Sequence, residues 1–79
     1  MVAGGYYADE GWEIIVVNPS FEGRQYVEVY VVALADREAA EKKILAQIDS
    51  AAVIKEFVRI APREMQQHRL YQGRWAKIR

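Results

Sequence analysis

The 79-residue chain has no cysteine, no threonine, one histidine (His68), two serines (Ser20 and Ser50) and two prolines. Each scarcity excludes a class of chemistry. Without cysteine there is no disulfide framework, no thiol nucleophile and no thiolate metal site. A zinc shell built on one imidazole would have to be completed by carboxylates, an unfavourable donor set, so no metal is expected. A hydrolytic triad would need His68 beside Ser20 or Ser50, and no G-x-S-x-G pattern surrounds either serine. Neither G-x-G-x-x-G nor G-x-x-x-x-G-K-[ST] occurs, which excludes nucleotide binding by those routes and leaves no cofactor to expect. The longest uninterrupted apolar run, Val29 to Ala35, is far short of the roughly 20 residues that a membrane-spanning helix needs. Met1 to Gly5 carries no basic residue and no apolar leader, so a cytoplasmic address is expected.

What remains is a neutral, apolar composition: 11 basic and 11 acidic side chains with a hydrophobic fraction of 52%. That is too apolar for disorder, and the length suits one small domain with a flexible Gly4-Gly5 tail. A domain this small, lacking disulfides, either packs a tight core or borrows surface from a partner. The charge is uneven along the chain. Residues 1–50 hold four basic against nine acidic groups and residues 51–79 hold seven against two, a net of −5 followed by +5. Such asymmetry serves internal packing, head-to-tail association or a polyanion site, or simply solvates two outer faces.

Trp12 to Val17 is a β-branched run bounded by Gly11 and Asn18-Pro19, and it reads as a strand. Pro19 and Gly23 give the connector turn chemistry, so a hairpin follows. The second strand runs from about Arg24 to Leu34, with Val27, Val29, Val31 and Ala33 alternating against Tyr26, Glu28, Tyr30, Val32 and Leu34. A strand of that length leaves part of its edge without an intrachain partner, a template for a second copy unless a bulge bends it. Asp36 is a good N-cap for a helix to about Ile48, with Ala40, Ile44, Leu45 and Ile48 on its apolar stripe and Arg37, Glu41 and Lys42 facing water. Val53 to Ile60 is the third strand. Its alternation is imperfect, since Ile54, Glu56, Val58 and Ile60 oppose Val53, Lys55, Phe57 and Arg59. Strand, helix and strand with short links imply a parallel right-handed crossover. Pro62 opens a short helix to about Arg69, Gly73 supplies a turn, and Arg74 to Arg79 forms either an edge strand or a docking arm.

These elements predict an α+β domain: a small mixed sheet of three or four strands, made by an N-terminal hairpin and a βαβ crossover, with one main helix on one face and a short second helix. The element order resembles ferredoxin-like and related split α/β architectures but begins with a hairpin. The resemblance therefore implies a fold and no function. Val27, Val29, Val31, Ile44, Leu45 and Ile48 are the expected shared interior.

Three functions are compatible with this inventory. The first is a non-catalytic interaction or accessory module that homodimerises through a sheet face or strand edge. Phe21, Tyr26, Tyr30 and Trp75 are its interface residues, since aromatic rings anchor subunit contacts. The second is a single-stranded nucleic-acid-binding domain, in which Arg59, Arg69, Arg74, Lys77 and Arg79 reach phosphates while rings such as Tyr71 stack bases. The third is a small enzyme with an inter-subunit cleft holding His68 beside a tyrosine or carboxylate, although His68 also suits the C-terminal end of the short helix.

Overall fold

The computed structural model describes residues 8–19, 23 and 25–79. These form strand β1 (Gly11–Asn18), strand β2 (Tyr26–Val32), helix α1 (Arg37–Leu45), strand β3 (Val53–Ile60), helix α2 (Pro62–Gln67) and strand β4 (Trp75–Lys77). The α+β class, the opening hairpin, the main helix and the short second helix follow the sequence reading. Arg74 to Arg79 supplies an edge strand rather than a docking arm.

The sheet order is β3-β1-β2-β4, and each neighbouring pair is antiparallel. Strands β2 and β3 both run opposite to β1 and so parallel to each other, with β1 inserted between them. The sheet is therefore antiparallel throughout instead of mixed. Strand β1 is apolar on both faces, and the centre of the sheet is where such a strand can be covered and paired on both sides. Strand β2 pairs with β1 along its whole length, but β4 reaches only Tyr30, Val31 and Val32.

Helix α1 starts at the expected cap: the Asp36 carboxylate accepts the Ala39 N–H at 3.0 Å. It ends before Ile48, where the Gln47 N–H closes a tighter turn on the Ile44 carbonyl three residues back at 2.8 Å. Its buried residues Ala40 and Ile44 pack against Ile14, Val16, Tyr30 and Val32, with Trp12, Phe57 and Trp75 around them. The expected interior is thus corrected. Helix α1 lies on the aromatic face of β2; Val29 and Val31 are buried on the opposite face, while Val27 and Leu45 are 57% and 51% exposed. A helix contributing one alanine and one isoleucine has a small footprint, and large rings fill the space beside it better than valines would. Arg37 is exposed as expected, and its guanidinium also lies 4.3 Å from the centre of the Phe57 ring.

The opposite face is covered unevenly: Val29 and Val31 on β2 are buried, whereas Val27, Val53 and Val58 are exposed. Ala8, Val31, Ala33, Ile60, Met65 and Leu70 form a second core on it. Helix α2 ends in a Schellman motif: Leu70 N–H donates to the Met65 carbonyl at 3.0 Å and Arg69 N–H to that of Gln66 at 3.1 Å. Leu70 and Met65 join the same core, which is the apolar contact this motif usually makes. Arg69 occupies the left-handed position of the motif (φ 53°), where glycine is usual; a side chain there costs roughly 1 kcal/mol.

The irregular alternation of β3 is a β-bulge. Its register shifts between Ile15, opposite Glu56, and Val16, opposite Ile54, leaving Lys55 as the extra residue. Ile54 consequently joins Phe57 on the α1 face, and Val53 falls beside Val17 on the other.

Gly11 allows α2 to lie close to the sheet, because a Cβ there would overlap the Met65 methyl group and the Val32 carbonyl oxygen. Gly11→Ala is expected to destabilise the domain by about 1–3 kcal/mol, the usual cost of overpacking. Urea unfolding measures it, and an unchanged midpoint would contradict this close approach.

Candidate functional site

The polar cluster of the domain lies on the α1 face, beyond the reach of the helix. Strand pairing sets Asn18 opposite Tyr26, and Tyr30 opposite Lys77. Glu28 sits among them. Its carboxylate accepts hydrogen bonds from Asn18 Nδ2 at 2.7 Å and from the Tyr30 hydroxyl at 3.2 Å, and pairs with Lys77 Nζ at 2.6 Å. The Lys77 hydrogen bond, followed by that of Asn18, holds the Glu28 carboxyl below its ordinary range. Burial and then the Glu28 charge push the Tyr30 hydroxyl up, and the Glu28 hydrogen bond pushes Lys77 up. All three shifts lead away from neutrality. The network ties β1, β2 and β4 together across the sheet.

Among the described residues, two pockets flank the sheet. One, of about 430 Å³, lies at the β3 edge and is lined by Trp12, Arg37, Ile54, Lys55, Glu56 and Phe57. Its aromatic wall is already engaged. Trp12 and Phe57 meet edge to face at 6.4 Å, Arg37 covers Phe57, and Arg59 covers Trp12 at 4.8 Å while pairing with Glu10 at 3.2 Å. The other, of about 400 Å³, follows α2 and is lined by His68, Arg69, Leu70, Tyr71, Arg74, Trp75 and Ala76. Among the described residues no carboxylate lines it.

A third surface is flat. On the face opposite α1, Val17 stands directly between Val27 and Val53. Ile15 lies in the next rank, and Val58 one rank further along β3. Val53, Val27 and Val58 are 63%, 57% and 39% exposed. Helix α2 and Leu70 cover only the far end of this face.

The residues expected at an interface are scattered. Tyr30 is 5% exposed, inside the subunit's own core and 5.8 Å from the half-buried Trp75 ring. Tyr26 is 61% exposed. Phe21 lies outside the described residues. The basic set divides as well. Arg69, Tyr71 and Arg74 meet around one pocket, Lys77 is held by Glu28, and Arg59 lies on β3, with β1 and β2 between it and β4. Arg79 follows β4, its carbonyl accepting the Val29 N–H at 3.0 Å. His68 joins the basic pocket with Tyr71 but no carboxylate. Sequence reasoning missed the valine row, because Val17 and Val53 become neighbours only once the bulge sets the register. Among the described residues no group of His, Cys, Asp or Glu could hold a metal ion, and no helix is long and apolar enough to cross a membrane.

The Glu28 shift has a definite sign. A carboxyl with a depressed folded-state pKa stabilises the domain above its unfolded pKa, and that contribution disappears as pH falls through the folded value. Glu28→Gln is therefore expected to be less stable than the parent at neutral pH and to lose less stability between about pH 5 and pH 3. Thermal unfolding across that range measures both, and superimposable acid limbs would contradict the assignment.

No family model matches the chain, and no curated protein or solved structure matches it, so the functional reading rests on the geometry.

Proposed function

We propose that the chain is a non-catalytic interaction module that self-associates through the open half of the sheet face opposite α1. The observation that carries this reading is the row Val53, Val17 and Val27, exposed at both ends and half-buried at Val17, three β-branched side chains abreast on three hydrogen-bonded strands. A flat apolar sheet face fits another sheet face about 10 Å away, and a second copy supplies one through a two-fold axis.

Edge pairing is the weaker route. Strand β3 is blunted by its bulge and by exposed Lys55, Glu56 and Arg59, and β4 is only three residues long. The face has no such protection at its valine end. Five partly exposed apolar side chains per copy, at about 1 kcal/mol each, give on the order of 10 kcal/mol for a pair. Association costs roughly 4–15 kcal/mol in lost freedom, so the dimer is weak and depends on concentration. Glu13 and Glu56 lie on the same face, and a two-fold brings like charges towards each other. Added salt is therefore expected to strengthen association, opposite to a head-to-tail contact between acidic and basic surfaces.

Sedimentation velocity from about 10 µM to about 1 mM, a range that brackets weak association, is expected to show a rising average mass. Val27→Lys, at an exposed position, should remain folded and monomeric, while Leu45→Lys on α1 should still associate. A monomer at every concentration would overturn the proposal, and so would a dimer lost with Leu45→Lys but kept with Val27→Lys.

A further inference from the structure

We infer that the pocket around His68, Arg69, Arg74 and Trp75 binds a phosphate joined to a planar heterocycle, as in one nucleotide unit. Three features support this. Arg69, Arg74 and His68 all line the pocket, no carboxylate lines it among the described residues, and neither arginine has an ion-pair partner among them. Guanidinium groups suit phosphate because their forked donors match its oxygens. Trp75 and Tyr71 add rings to the same lining, and a π face accepts any base. The recess is open and about 400 Å³ in volume, which gives room for one small ligand.

The backbone adds a separate observation. Arg69 holds a left-handed conformation at a helix terminus where glycine would be less strained. The Schellman motif accounts for that conformation, and the side chain kept there borders the pocket. The pocket at the β3 edge suits an anion less well, because Glu56 is in its lining.

One unit, rather than a long strand, fits the remaining charges. Lys77 is committed to Glu28, and Arg59 lies on β3, with β2 and β1 between it and β4, and is paired with Glu10. No cationic track therefore leads from the pocket across the sheet.

The test is isothermal titration of the full chain with adenosine monophosphate, adenosine, inorganic phosphate, and a short oligodeoxyadenylate with or without a 5′-phosphate. Adenosine monophosphate should bind with a Kd on the order of 100 µM, and adenosine and phosphate each at least about tenfold more weakly. If the 5′-phosphorylated oligomer matches the mononucleotide while the unphosphorylated one does not bind, the source of the unit is a strand terminus. If only the mononucleotide binds, the source is a free nucleotide. Arg74→Ala and Arg69→Gly should each weaken binding at least about tenfold, since each removes a phosphate donor. Arg69→Gly should at the same time raise Tm, which separates lost binding from lost folding. Mononucleotide binding unaffected by both substitutions, no mononucleotide binding, or binding that grows with oligomer length regardless of the terminal phosphate would overturn the inference.

Discussion

Strand β1 is hydrogen-bonded on both sides, and its side chains are apolar in both directions. Ile14 and Val16 point one way, Ile15 and Val17 the other. A sheet whose central strand is apolar on both faces needs two covering layers. This chain provides one nine-residue helix and one six-residue helix. Helix α1 shelters Ile14 and Val16 completely. Helix α2, with Leu70 and Ala8, covers only the Gly11 end of the other face. The exposed valine row is the direct consequence of that imbalance.

The charged and polar groups divide between holding the sheet and remaining available. Glu28 gathers Asn18, Tyr30 and Lys77 and so ties β1, β2 and the short β4 together where no helix covers them. Arg37 and Arg59 lie on the rings of Phe57 and Trp12, extending the apolar face to the β3 edge. Arg69 and Arg74, in contrast, stand beside a pocket with no acidic group. The basic excess of residues 51–79 is thus not one surface, and only part of it converges on a place where a ligand could sit.

Local chemistry made several elements legible. The Asp36 cap, the start of α2 at Pro62, the hairpin between β1 and β2 and the extent of β3 each follow from residue types within a few positions of one another. The irregular alternation of β3 was also visible, although its cause, a bulge at Lys55, depends on the pairing with β1. Half of the candidate pocket could be anticipated, since Arg69, Tyr71 and Arg74 are near neighbours in sequence. Its separation from Lys77 and Arg59 could not, because those two are placed by Glu28 and by the strand order.

Residue order alone specified two-sided strands, a capped helix with a small apolar stripe and a basic, aromatic C-terminal third. Alternation with a period of two divides side chains into two sets, but it contains no information about which set a helix will cover. Three-dimensional packing made that choice: Ala40 and Ile44 fit among Trp12, Tyr30, Phe57 and Trp75, so the rings became core and the valines surface. Long-range pairing then placed Val53 beside Val17, a contact between residues 36 positions apart that no local pattern encodes.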